Sequence, residues 1–471
     1  MSRELSRRRR GGAQPSAGPR RGATPTQARI VAVRVLERVE RAGAYADLAL
    51  SGALRRSGLS PRDRAFVTEL VYGTLRWRGH LDALLRAVLD RPNERLEALV
   101  TTLLRVGAYQ IVFEHSVPSS AAVDQTVRCA RALGVSRAAG LVNAVLRRLA
   151  RGHETIPMPS LEDDACGHLV DALSLPAPIA ERWLARLGPE EAALLAEASN
   201  KVPPLVARLN PLRTDRETLL EELRTRLPDV KACRYAPLGV NLGHHGYPGH
   251  DPAFLEGRFT IQDEGSQLVV ELLDPRPGER VLDVCAAPGG KAGAIAERVG
   301  ESGRVDAYDR NPRRLGLVAR SARRLGLANL QTREVDATQP LPDEGALFDR
   351  VLVDAPCSGL GTLRRNPDAR WRFDEANVGR LVELQKQILS RSAAALRPGG
   401  TLVYSTCTLL AEENEAVVEG FLAEAKDFIP CKPEALPEVV RPLISDAGWL
   451  STWPHRHDTD GFFAARLERK A

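Results

Sequence analysis

Cys357 and Cys407 lie fifty residues apart in similar settings, "VDAPCSG" and "VYSTC", each just past an apolar run. A single cysteine is most often a small buried hydrophobe. Two at the ends of buried strands, with Asp354 three residues before the first, suit covalent chemistry better. One thiolate can attack an electron-poor centre while a carboxylate or the second thiol manages a proton. Lys291 is one of seven lysines against fifty-nine arginines, and a cation of this kind favours a thiolate beside it. Clustered Cys and Asp also suit a metal, but no histidine at ligand spacing accompanies them, and the seven cysteines contain no CxxC pair. No metal is expected. Spacing alone does not say which cysteine attacks.

These residues meet only if several strands bring them to one edge. From Phe259 onward strands and helices alternate: "ERVLDVC", "GKAGAIAERVG", "GRVDAYD", "PRRLGLVARSARRLG", "LQTREVDA", "DRVLVDAP", "RLVELQKQILSRSAAAL" and "GGTLVYSTC". Near-continuous Val/Leu strands separated by helices predict a parallel sheet covered on both faces. Ligands of such sheets sit outside the carboxyl ends of the strands. After the first strand comes Cys285, Ala286, Ala287, Pro288, Gly289, Gly290 and Lys291, a tight turn into a helix where backbone can approach a ligand. It is neither GxGxxG nor a P-loop. Asp309 ends the second strand, placed to accept hydrogen bonds from ribose hydroxyls. Asp336 ends the third, placed to meet an adenine amino group. An adenosine site without a phosphate loop points to S-adenosylmethionine as cofactor.

Ahead of this unit, residues 29–155 form a run of amphipathic segments that predicts an all-helical bundle. Arginines cluster on it, Arg76 and Arg78 around Trp77, and Arg147, Arg148 and Arg151, which favours a surface for RNA or protein. Residues 156–253 are richer in proline and predict a small α/β linker domain, leaving 254–471 as the catalytic domain. The histidines of "HHGYPGHDPAF" read as a surface loop. Residues 1–28 hold seven arginines and one acid, so this tail carries the whole +6 net charge and is expected to be disordered. No apolar run reaches the ~18 residues of a membrane span, and no secretory signal follows the arginines. A soluble, monomeric protein of the reducing cytoplasm is expected.

The motifs "CAAPGGKA", "DAPCSGLGTLRRNPDARWR" and "YSTCTLLAEENE" resemble signatures of the RNA cytosine-5 methyltransferases of the Sun family. "LVYGTLRWRGHL" and "GLVNAVLRRLAR" resemble the NusB-like domain of its ribosomal small-subunit branch. "QDEGSQ" and "DGFF" also resemble family motifs near the site; Ala292 departs from the family's usual Thr or Ser. The resemblance implies a Rossmann-like class I methyltransferase domain with a seven-stranded, mostly parallel sheet, and methylation of a cytidine in 16S ribosomal RNA. It also implies that Cys407 attacks carbon 6 of the base, that Cys357 assists product release, and that Asp354 and Lys291 serve both chemistry and cofactor. Arg364, Arg365, Arg370, Trp371 and Arg372 follow Cys357 closely and are expected to contact RNA, whose cytosine must be unpaired or flipped. The alternatives are the same chemistry on transfer RNA or 23S ribosomal RNA, and a non-catalytic RNA-binding or antitermination factor.

Overall fold

The computed structural model describes residues 27–91, 96–244, 246, 248–342 and 347–471. The arginine-rich tail lies almost wholly outside these residues, as do His245 and Tyr247 of the histidine loop.

Seven helices make the first unit: α1 (Gln27–Ala42), α2 (Ala46–Ser57), α3 (Pro61–Arg76), α4 (Arg78–Val88), α5 (Ala98–Val112), α6 (Ser119–Ala132) and α7 (Ala139–Gly152). The apolar positions spaced along α1, α3, α5 and α7 converge on one core that includes Val33, Leu36, Leu70, Leu103 and Leu146. Helix α3 starts where Pro61 sets the first turn and the Ser60 side chain accepts from the Asp63 N–H. The continuous apolar pattern from Pro61 divides at Trp77, whose backbone leaves the helical region and lets α4 set off anew. Helix α2 had no strong apolar stripe to announce it; Gly58, in the left-handed region, ends it.

A small antiparallel sheet follows, β1 (Val206–Leu209), β2 (Lys231–Ala232), β3 (Gly239–Asn241) and β4 (Phe259–Ile261), in the order β2-β3-β1-β4. The helix Arg216–Arg224 covers it, capped by Asp215, which accepts from the Thr218 N–H. Strand β4 comes from beyond residue 253, so the small sheet extends past the boundary drawn from sequence. Ahead of it, the helices Ala177–Leu187 and Pro189–Asn200 pack their apolar faces on Leu360, Leu363, Leu409 and Trp453 of the last unit. The segment expected to be a small α/β linker domain thus also braces the catalytic domain.

The last unit is a mixed sheet of β5 (Arg280–Asp283), β6 (Arg304–Asp309), β7 (Leu330–Glu334), β8 (Phe348–Asp354), β9 (Leu396–Thr406), β10 (Phe428–Pro430), β11 (Leu450–Thr452) and β12 (Phe462–Arg469). Its seven-stranded order is β10-β12-β9-β8-β5-β6-β7, with β11 added against β12. The strands from β5 to β9 are parallel; β12 runs antiparallel to β9. The chain goes from β5 outward to β7 and then returns to place β8 on the other flank of β5. That reversal opens the crevice at which such sheets bind ligands. Both faces are buried at the centre of the sheet, with Leu282, Val351, Val353 and Leu402 inaccessible to solvent, while the edge strand β7 is exposed. Among the described residues, no helix is long and apolar enough to cross a membrane.

Candidate active site

Strands β8 and β9 run parallel with Asp354 opposite Ser405, and their carboxyl ends carry the two cysteines into the crevice. Cys357 Sγ lies 3.5 Å from Cys407 Sγ, and both are half-buried. The approach depends on glycines. The Gly361 N–H donates to the Cys407 carbonyl at 2.9 Å, and the Gly461 N–H donates to the Gly361 carbonyl at 2.8 Å. A Cβ on Gly361 would stand 2.1 Å from the Gly461 carbonyl oxygen and 2.8 Å from that of Cys407. No other residue type fits there.

Lys291, in the first turn of the helix Gly290–Val299, reaches across β5. Its Nζ donates to Asp354 Oδ2 at 2.7 Å and lies 5.2 Å from the centre of the Phe462 ring. The Ser405 hydroxyl donates to Asp354 Oδ1 at 2.9 Å. Burial works to lower the Lys291 pKa, but Asp354, then Cys407 and Asp283, more than offset it and hold the ammonium charged. A buried cation therefore sits beside the thiol pair.

The glycine turn forms as the spacing predicts. Gly289 has φ +106°, and a Cβ there would crowd Val318 at 3.1 Å. The Ala286 N–H donates to the Tyr308 carbonyl at 2.8 Å, tying the turn to β6. Asp309 closes β6 and accepts from the Ala287 N–H at 3.3 Å and the Asn311 N–H at 2.8 Å. Asp336 is exposed two residues past β7, where Thr338 donates to it through N–H and hydroxyl. The Thr338 hydroxyl, then its N–H, hold the Asp336 carboxyl below the usual range. Burial, then the carboxylates of Asp283, Asp354 and Asp309, push the Cys285 thiol up, which removes it as a competing nucleophile.

One residue of this turn escaped the sequence reading. Asp283, the last residue of β5, is wholly inaccessible, and neither carboxyl oxygen has a hydrogen-bond partner. Burial, then Asp354, push it up to about 8. A buried carboxyl without a donor is costly and calls for a partner. Asp283 beside a glycine turn, with Asp309 at the next strand end, fits a ligand with a cation at one end and a diol at the other. The only sign in sequence was an acid inside an apolar strand. Glu413, Asn414 and Gln385, which hold the two cysteine turns, were also missed, although the first two stand in the quoted "EENE".

The arginine-rich segment after Cys357, expected to contact RNA, turns most of its guanidinium groups to acceptors of the protein itself. Arg364 donates to Asp460 Oδ1 at 2.8 Å and Asp458 Oδ1 at 3.0 Å; Arg365 donates to Asp460 Oδ2 at 2.7 Å and Asp263 Oδ1 at 2.6 Å. Arg370 has no exposed surface. Its guanidinium donates to Asn200 Oδ1 at 2.8 Å and to the carbonyls of Arg76, Ser174 and Ser199, each at 3.1 Å. Trp371 Nε1 donates to the Leu75 carbonyl at 2.6 Å, and Arg372 pairs with Asp368 at 3.1 Å while lying over the Tyr45 ring. Arg372 is partly accessible and pairs through one nitrogen, whereas Arg364, Arg365 and Arg370 are engaged by protein acceptors. Arg76 is likewise buried, donating to the Arg364 carbonyl at 2.9 Å. Together they form a strut that locks the helical unit, the bracing helices and the Cys357 loop to one another.

A glycine turn and acidic strand ends around a topological switch, with a helical unit docked in front, define a Rossmann-like methyltransferase carrying a NusB domain. Residues 270–468 match the family described as 16S rRNA methyltransferase RsmB/F, 26–151 match the NusB family, and 175–246 match the ferredoxin-like domain of RsmF/B-like methyltransferases. The probable ribosomal RNA small subunit methyltransferase B of Synechocystis sp. is 39% identical over 444 residues, 94% of this chain and 99% of the relative. That of Bacillus subtilis is 36% identical over 448 residues, with 94% and 99% covered. The solved structure of PH0851 superposes with a TM-score of 0.77 at 26% identity, covering 93% of this chain and 99% of that one. The chain belongs to the RsmB/F family of 16S rRNA methyltransferases.

Proposed function

We propose that this protein methylates carbon 5 of a cytidine in 16S ribosomal RNA, with S-adenosylmethionine as donor and Cys407 as nucleophile. The carrying observation is the 3.5 Å separation of the Cys357 and Cys407 sulfurs beside the Lys291–Asp354 pair. Asp283 suits the donor's α-ammonium and Asp309 its ribose, with Cys285, Ala286, Ala287, Pro288, Gly289 and Gly290 lining the approach and Asp336 near the base. When bound, the donor supplies an electrophilic methyl group on sulfur.

Carbon 5 of cytosine is a weak nucleophile. Addition of the Cys407 thiolate to carbon 6 breaks the aromatic system and moves electron density onto carbon 5, which then takes the methyl group. Lys291 compensates negative charge as the thiolate forms and the ring becomes electron-rich. Asp354 holds that ammonium in place and keeps an exposed edge toward the base, its side chain being 30% accessible. Transfer of the carbon 5 proton to water restores the double bond and expels Cys407, and Cys357, in hydrogen-bond contact with that sulfur, assists the release. The cytosine must be unstacked to be reached. Exposed Arg147 and Arg151 on α7 give the helical domain a place to hold phosphate. The protein acts as a monomer in the cytoplasm.

Methyl transfer to unmodified 16S, 23S and transfer RNA, mapped by bisulfite sequencing, tests the reading. Label in one 16S cytidine supports it; label confined to another RNA moves the substrate, and no label favours a binding protein. Cys407→Ala should abolish both transfer and covalent adduct, whereas Cys357→Ala should trap the adduct. An adduct that persisted in Cys407→Ala would exchange the two roles.

A further inference from the structure

Glu413 closes the 3-10 turn Ala411–Glu413, six residues beyond Cys407, and has no exposed surface. Every hydrogen bond to its side chain comes from a donor around Cys357. The Ser358 N–H donates to Oε1 at 2.9 Å and the Ser358 hydroxyl to Oε2 at 2.5 Å. Gln385 Nε2, from the helix Val378–Ala394, donates to Oε1 at 2.9 Å and also to the Pro356 carbonyl at 2.9 Å. Of the residues flanking Cys357, Ser358 is therefore fastened to this carboxyl group directly and Pro356 through Gln385. Three donors and no acceptor are the partners of an ionised carboxylate, which accepts only. Burying such a charge is expensive and needs a return.

We propose that Glu413 is the positioning residue that gives the two cysteines different roles, holding a fixed negative charge under Cys357 so that the proton stays there and Cys407 is the sulfur that ionises. The inference rests on the roles proposed above for Cys407 and Cys357. The charged groups around the pair divide by side. Glu413 lies on the Cys357 side, with Tyr404 donating to the Glu413 carbonyl at 2.6 Å. Lys291, held by Asp354, is the cation that interacts with Cys407. The hydrogen bond to Cys407, then burial, then the charge of Cys407 and after it that of Glu413 push the Cys357 thiol well above its ordinary value. A thiol kept protonated 3.5 Å from the attacking sulfur can donate to that sulfur as it departs from carbon 6. Were both sulfurs ionised, they would repel each other and release would lose its acid.

The test is alkylation of the full-length protein by iodoacetamide between pH 6 and 10, with each cysteine followed by mass spectrometry and no RNA present. In the wild type Cys407 should react at least ~10-fold faster than Cys357 at pH 8, because the thiolate is the form that alkylates. Glu413→Gln keeps the size and removes the charge. It should shrink that ratio by at least ~3-fold and make Cys357 react at lower pH, a change of roughly half a unit. In turnover, the same variant should accumulate the Cys407–RNA adduct on denaturing gels, with kcat falling more than KM. An unchanged ratio in a folded Glu413→Gln protein overturns the inference, and so does faster alkylation of Cys357 in the wild type, which needs no variant. Failure of the proposed function would show separately, as methylation surviving Cys407→Ala.

Discussion

Lys291 Nζ is 2.7 Å from Asp354 Oδ2 while Ser405 holds Oδ1 of the same carboxylate at 2.9 Å, so each oxygen is engaged and the ammonium is fixed. Two elements meet in that contact, the first helix turn after β5 and the end of β8. A charge held in advance of substrate needs no rearrangement as the thiolate forms. Lys291→Met should keep the fold and lower single-turnover methyl transfer by roughly 10²–10³-fold, the range found when one preorganised electrostatic donor is removed. Rates within a few-fold of wild type would remove Lys291 from the chemistry and leave it as cofactor-turn structure.

The Cys407 turn is packed against backbone at Gly361, where a Cβ would come within 2.1 Å of the Gly461 carbonyl oxygen. Backbone cannot yield as a side-chain end would. Gly361→Ala should therefore cost about 1–3 kcal/mol in urea unfolding, as overpacking does. It should also cost roughly 10²-fold in turnover, because a shift of about 1 Å at Cys407 is enough. Gly140→Ala is the control, since a Cβ there meets nothing within 4 Å; it should leave turnover unchanged and, lying inside α7, raise stability by about 0.4–1 kcal/mol.

Much of this site was legible from strand ends. Cys357, Cys407, Asp354, Asp309 and the glycine turn each follow an apolar run, and a parallel sheet brings the ends of such runs to one edge whatever the loops do. What sequence could not show was direction. "RRNPDARWR" has the composition of an RNA-binding loop, yet Arg370 points inward to the carbonyls of three segments. Composition is the same for a solvated basic loop and a buried strut, and only the acceptors Asn200, Asp263 and Asp460, remote in sequence, distinguish them. Asp283 was hidden for the converse reason: in a strand, one acid among valines and leucines gives no sign of whether it is paired. That β4 pairs with β1 across the boundary drawn after residue 253 was hidden because β1 lies some fifty residues earlier, and pairing over that distance leaves no local pattern.

Arg370 ties the Cys357 loop to α3 through the Arg76 carbonyl and to the bracing helices through Ser174, Ser199 and Asn200. Arg370→Met should leave these acceptors buried and unpaired, at a cost of roughly 2–4 kcal/mol in urea unfolding. Because the strut joins three units, limited proteolysis should also begin to separate residues 27–152 from the remainder of the chain. A variant as stable and as protease-resistant as wild type would show that the apolar interface alone holds the helical unit in place.

Asp283 makes a prediction in pH. Its carboxyl is pushed from an ordinary 3.8 up to about 8, by burial first and by Asp354 second. Between these values the unfolded chain has released this proton and the folded chain retains it. Folding then takes up a proton, so this group's contribution to stability is complete at low pH and is lost as pH rises toward 8. Asparagine has no proton to lose, so Asp283→Asn should flatten the dependence: its Tm relative to wild type should climb steadily from pH 5 to pH 8. A donor ammonium placed against Asp283 would favour the ionised carboxylate, so calorimetric binding of S-adenosylmethionine at pH 7 should release up to one proton from this position in the wild type and none from it in Asp283→Asn. Parallel Tm curves for the two proteins would mean that Asp283 is already ionised in the fold, and equal proton exchange in both titrations would place the donor's ammonium elsewhere.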